Sequence, residues 1–350
     1  MNPSASRPTA EPTTASAVDP TSDRAVHPAV RPAVRPAVRP AWGVGLATVS
    51  ARGTTLEVWY PELGLGRMPA RLAGPYGVPA DLASLRTTDP ARRTHLGVVH
   101  TQIDLAAPPA DTADAYLRLH LLSHRDIAPG EAELGGLEEV LPVNVWTSVG
   151  ACELADFEDT RLRLRIAGKG VAPVVFGVAR FPRMTDFVAP SDVRIEVADR
   201  VRLGAHLAPG TVVRAEGFVD YNAGSIGAAH IQGRVNYGVT VDRDTEIGGS
   251  ASIIGAEEGA AQLVTIGRRC LLGANAGVGI SLGGDCVVEA GLYVTAGTKV
   301  TLRTAAHPHP RIVAARDLSG EERLLFRRNS TTGVVEAFER DERPSTPGNE

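Results

Sequence analysis

The chain has 350 residues, 43% of them hydrophobic and 22% charged, and a formal net charge of −4, a balance that suits a large globular core and gives no reason to expect nucleic acid as a partner. No apolar run approaches the roughly 18 residues of a membrane span, and the N-terminus lacks the apolar stretch of a signal peptide, so no membrane association is expected. The three cysteines, Cys152, Cys270 and Cys286, have no metal-ligand spacing, which favours a reducing, cytoplasmic setting.

Residues 1–40 are rich in Pro, Ala, Thr and Ser, and a repeat of His-Pro-Ala-Val and then Arg-Pro-Ala-Val runs from His27 to Val38. Such a segment buries too little apolar surface to offset its ordering entropy, and a disordered arm is expected. Residues 41–190 read as an α/β domain. Gly43 to Ser50, the turn Ala51-Arg-Gly-Thr54 and Leu56 to Tyr60 predict a hairpin. His95 to Leu105 predicts a further strand. Asp111 to Arg125 predicts a helix with Ala115, Leu119 and Leu122 on one face and Asp111 or Thr112 as its cap. Val171 to Phe181 predicts a strand.

A different rhythm governs residues 191–302. Val201, Leu207, Val213, Val219 and Ile231 keep a spacing of six, with Ser225 at the missing beat. Ile247 and Ile253 resume it in a new register, as do Ile266, Leu272 and Val278, and then Leu282, Val288, Val294 and Val300. Small residues crowd the positions between. This period matches neither a helix nor an ordinary strand. It predicts a left-handed parallel β-helix whose aliphatic residues point inward at successive faces. The stretch 256–265 breaks the rhythm and predicts a projecting loop, and Gly279 to Ser281 a shorter slip. Residues 303–322 look irregular, with His307-Pro-His-Pro310 favouring extended loop. Leu324 to Arg340 predicts a closing hairpin, so that 303–340 is a C-terminal loop and hairpin, and 341–350 a polar, disordered tail.

Longer runs carry more information than the period. Phe181 to Asp186, Asp199 to Gly210, Glu216 to Gly224, Arg269 to Asn275, Val288 to Gly297, Phe326 to Ser330 and, upstream, Ala115 to His124 stand much as in actinobacterial tetrahydrodipicolinate N-succinyltransferases. The chain resembles that family over about residues 42–338. The resemblance implies a CoA-dependent acyltransferase, a homotrimer that moves succinyl from succinyl-CoA to a small amino-dicarboxylate on the lysine and diaminopimelate pathway. It implies a backbone oxyanion donor at Gly255. It implies a CoA cleft at Arg234, Gly249, Ser252, Ala274, Glu289, Ala290, Gly297, Arg327, Arg328, Asn329 and Ser330. It also implies a structural Mg2+ on the trimer axis, held by Asp199 and Glu216, whose carboxylates suit a hard cation.

One position departs from the family. Where relatives carry Glu in a Val-Glu-Gly-Arg run, this chain reads Ile231-Gln232-Gly233-Arg234. A carboxamide is no useful base near neutral pH and forms no acyl anhydride as a carboxylate does, yet it can hydrogen-bond substrate. Three readings stand: direct transfer with Gln232 orienting the amine, a paralogue acting on another amine or acyl-CoA, or a non-catalytic trimeric scaffold that binds CoA. Two smaller departures are the acidic Ala256-Glu-Glu-Gly-Ala-Ala261 run, where Glu257 or Glu258 facing inward would disfavour an acyl group ending in carboxylate, and Ala314 in place of a basic residue.

Overall fold

The computed structural model describes residues 39–72, 77–255, 263–305 and 307–340. The expected N-terminal arm, the C-terminal tail and the acidic loop with Glu257 and Glu258 fall almost wholly outside them. The hairpin is present as β1 (Pro40–Ser50) and β2 (Thr55–Leu65), antiparallel, with β3 (Thr94–Asp104) on the other side of β1. The central β1 is buried on both faces. Against one face lies α1 (Thr112–His124), capped by the Asp111 carboxylate, which accepts the Asp114 N–H at 2.9 Å.

The spacing predicted one apolar face for α1, but every residue from Asp114 to Ser123 is buried. The helix is enclosed by the sheet on one side and by the first β-helical coil on the other, so its polar residues find partners inside. Arg118 is fully buried, pairs with Asp114 at 2.6 Å, and donates to the Glu133 and Asp104 carbonyls at 2.8 and 3.0 Å. Buried charge is tolerable only when satisfied in this way. A second small sheet follows, β4 (Asn144–Thr147) between β5 (Gly150–Glu153) and β6 (Val175–Ala179), with α2 (Phe157–Ala167) in the connection. The predicted strand at 171–181 is thus real but shorter.

From Arg194 onward the chain winds a left-handed parallel β-helix. Its first face stacks Ile195, Val213, Ile231, Ile247, Leu272 and Val288. Its second stacks Val201, Val219, Val235, Ile253, Val278 and Val294. Its third stacks Leu207, Ser225, Val241, Ile266 and Leu282. Val235 and Val241 complete the rhythm between Ile231 and Ile247. The corner after Ile231 is shortened, so the next inward residue comes early. Gly233 permits this, because a Cβ there would collide with the Ala251 carbonyl. The slip at Gly279 to Ser281 is a second short corner. The extra residues between Ile253 and Ile266 lengthen one coil without disturbing register, since Val241 pairs directly with Ile266. Ser225 points inward as its place in the repeat requires, its hydroxyl 2.7 Å from that of Thr211 and accepting from the Ala208 N–H at 3.1 Å.

The end of the chain corrects one expectation. Residues 307–314 are not an irregular loop but β8 (His307–Ala314), antiparallel to β7 (Lys299–Thr304). It lies at a sheet edge, where proline's missing donor costs no ladder bond. The closing hairpin, β9 (Leu324–Arg328) and β10 (Val335–Glu339), is present, and β9 adds itself to the first face, Phe326 pairing with Val288. No helix among the described residues is long and apolar enough to cross a membrane.

Candidate active site

Of the residues singled out in the sequence, all but Arg327 and Asn329 gather around the second face of the prism and its two bordering corners. Along the corner between first and second faces come Asp199, Glu216, Gln232, Gly249, Ala274 and then Glu289-Ala290, one coil after another. Glu216 and Gln232 are exposed and converge over Gly249: a Cβ added there would lie 3.2 Å from Glu216 Oε2 and 3.5 Å from Gln232 Nε2. The missing acid at 232 therefore does not leave the corner without a carboxylate. Asp199, by contrast, is already engaged by Arg183 at 3.3 Å.

On the face itself, the residue before each inward aliphatic points outward, Phe218, Arg234, Ser252 and Tyr293, with Gly277 at the same place in its coil. The Arg234 guanidinium lies 4.9 Å from the Phe218 ring centre, and no carboxylate pairs with it among the described residues. The Tyr293 ring lies across Gly277, where any Cβ would enter it. Phe218, Gly277 and Tyr293 drew no functional assignment from the sequence. Their signal is positional, one residue ahead of each inward beat on this face.

The far corner carries Gly255 and Gly297. Gly255 has φ outside the left-handed region, so its need for glycine is space: a Cβ would collide with the Tyr237 carbonyl. Among the described residues none accepts a hydrogen bond from the Gly255 N–H. Gln232 and Gly255 thus stand at opposite borders of one face.

The C-terminal hairpin divides the Arg327 to Ser330 run. Arg328 and Ser330, with Glu289 and Ala290, line a shallow concavity of about 290 Å³, and the Arg328 N–H donates to Glu289 Oε2 at 2.8 Å. Arg327 turns to the other side, onto Phe338 and the buried Glu336 carboxylate. That carboxylate is held in its ionised form by Asn329, Arg303 and Arg327 against the cost of burial. Asn329 also closes the hairpin turn, its side-chain oxygen accepting the Thr331 and Thr332 N–H groups at 3.0 Å.

Comparison with known proteins agrees with the fold. Residues 141–183 match the middle part of tetrahydrodipicolinate N-succinyltransferase, and residues 263–296 match the hexapeptide repeat of succinyl-transferases. A Pseudomonas aeruginosa protein named 2,3,4,5-tetrahydropyridine-2,6-dicarboxylate N-succinyltransferase is 48% identical over 240 residues, 68% of this chain and 69% of its own. The chain belongs to the tetrahydrodipicolinate N-succinyltransferase family. A Pseudomonas paraeruginosa protein of the same name matches at the same 48% identity and coverage. The crystal structure of a Campylobacter jejuni protein, provisionally named a 2,3,4,5-tetrahydropyridine-2-carboxylate N-succinyltransferase, shares the fold at TM-score 0.71, with 23% identity, over 85% of this chain and 91% of that one. As a member of the succinyltransferase family the chain is an acyltransferase.

Proposed function

We propose that the protein transfers succinyl from succinyl-CoA to tetrahydrodipicolinate, at the amine freed when water opens its ring imine, in lysine and diaminopimelate biosynthesis, as a homotrimer in the cytoplasm. The observation that carries this reading is the 48% identity to relatives named for that reaction. The prism face supports it with small and basic residues along its borders. CoA lies along the corner of Gly249, Ala274 and Ala290, where small residues keep the wall low, with Arg328 and Ser330 at its end for anionic groups. The remaining cleft residues, Arg234, Ser252 and Gly297, border the same face, while Arg327 and Asn329 act on the hairpin that carries Arg328.

In the reaction water first adds to the ring imine of tetrahydrodipicolinate and opens it to an amino-keto-dicarboxylate; the freed amine then attacks the thioester carbonyl, the C–N bond forms, and the tetrahedral oxyanion accepts a hydrogen bond from the Gly255 N–H. The C–S bond then breaks, and CoA leaves as a thiolate that takes up the proton released from nitrogen. Gln232 holds the amine through its side-chain carbonyl and takes no proton. Orientation of two bound substrates is then the main source of rate.

Asp199 and Glu216 are oxygen donors on one exposed corner, chemistry that fits Mg2+. Among the described residues no group of three or more His, Cys, Asp or Glu gathers within the chain, so the ion would draw its ligands from several copies at the trimer axis. Bound there, it would offset the mutual repulsion of those carboxylates.

A second reading rests on Gln232 itself: the same scaffold acylating a different amine, or using a different acyl-CoA. A thiol-release assay with succinyl-CoA and tetrahydrodipicolinate decides between them. Turnover is expected, and Gln232→Glu should change kcat more than it changes CoA affinity. Absence of turnover with retained CoA binding would favour the second reading, and absence of both would leave only a structural scaffold.

A further inference from the structure

One concavity lies away from the prism face. It has a volume of about 540 Å³ and sits between the outer face of the first sheet and the second small sheet. Its walls are aromatic: Trp59 and Phe176, each 40% exposed, with Trp146 and Phe187 behind them. None of the residues assigned to acyl transfer lines it.

The charged groups of this cavity are unequally satisfied. Arg183 grips Asp186 with two bonds, at 2.9 and 2.8 Å, and stacks 3.8 Å from the Phe176 ring centre. Arg92 is bound to Asp89 at 2.7 Å and donates to the Ala151 carbonyl. Each arginine thus has its own carboxylate. Glu57 forms no ion pair among the described residues: its Oε1 accepts from the Thr48 hydroxyl at 3.0 Å, and the Arg92 charge acts on it only at longer range. It stands on β2 in the same row as Trp59, one strand pair from Thr48 and Leu46. Burial raises its pKa above the ordinary carboxylate value, against the opposing pull of the Thr48 hydrogen bond, the Arg92 charge and the Ala151 backbone.

A concavity of a few hundred Å³ with aromatic walls and few convergent polar groups is the usual form of a small-molecule site. A carboxylate without an ion pair among π faces selects for positive charge, since both the acid and the ring faces attract it. We propose that this cavity binds a small organic amine, protonated, with its ammonium on Glu57 and an aromatic or apolar body against Trp59 and Phe176. Arg183, which forms part of the wall, also reaches Asp199, so an occupant touches a side chain shared with the prism corner. The proposal stands apart from the acyl-transfer reading, because the two use different residues.

Isothermal titration of the full chain with phenethylamine tests it, with phenylacetate and 2-phenylethanol as anionic and neutral counterparts of similar shape. The amine is expected to bind saturably, one per chain, at least tenfold tighter than either counterpart. Glu57→Gln should weaken amine binding at least tenfold and reduce that preference. Trp59→Ala, at a partly exposed position, should weaken it severalfold without changing the thermal midpoint, which guards against a folding defect in the Glu57 variant. Equal binding of phenylacetate, no saturable binding of the amine, or undiminished binding in both variants would overturn the proposal.

Discussion

At the scale of single residues, His120 shows how burial fixes chemistry. Its Nδ1–H donates to the Tyr116 carbonyl at 2.7 Å and its Nε2 accepts the Tyr60 N–H at 3.3 Å. Both ring nitrogens are used by one neutral tautomer, and burial pushes the pKa down to about 3. The unfolded chain takes up a proton here near pH 6.5, whereas the folded protein does not until about pH 3, so stability falls as pH drops through that window. At pH 4.5 the loss is about 2–3 kcal/mol, from roughly 1.4 kcal/mol per unit of difference. Urea unfolding from pH 7 to 4.5 should show this slope, and His120→Gln should flatten it; an unchanged slope in the variant would refute the assignment. Gln232 was readable as a departure from the sequence, but its neighbour Glu216 at Gly249 was not. Nothing in their separation along the chain says that adjacent coils bring their side chains together.

At the scale of elements, the C-terminal hairpin is the clearest case of a local prediction with a non-local role. Its turn and strands were legible from Leu324 to Arg340, but not its attachment, with β9 extending the first face of the prism. Phe326 is fully buried where it continues the Val288 column. Phe326→Ala should cost about 3–5 kcal/mol by leaving a cavity. It should also loosen the strand that carries Arg328 and Ser330. The expected readings are a lower thermal midpoint and weaker CoA binding with the oligomeric state retained; a variant of native midpoint would show that β9 does not hold the hairpin. The β8 strand was missed for a related reason. His-Pro-His-Pro carries a loop's local preferences, and only the neighbouring β7 makes an edge strand of it. On the second face, Gly277→Val should displace the Tyr293 ring, with CoA or substrate affinity reduced while the first-face columns stay intact.

At the scale of the whole molecule, the proposed trimer and its axial ion are linked. Three copies of Asp199 and Glu216 brought together would repel unless a cation lay among them. Sedimentation should report a trimer, and EDTA should lower its thermal midpoint by several degrees. The double variant Asp199→Asn, Glu216→Gln should lose that response to EDTA while remaining trimeric. An EDTA effect of equal size in the variant would place the ion elsewhere, and a monomer at micromolar concentration would remove the shared cleft from the mechanism.

The period of six determined the β-helix before any coordinate was known, because each coil must turn its corners at nearly fixed intervals and bury one aliphatic residue at each face. Longer runs such as Glu216 to Gly224 determined the family. Tertiary structure alone decided three matters: that Gln232 and Gly255 border the same face, that α1 is buried all round, and that Glu57 faces an aromatic cavity without an ion pair of its own. Each depends on which coil or sheet lies beside which. A short corner such as Gly233 shifts that by a step that no local preference records, since the collision it avoids is with Ala251, a full coil away.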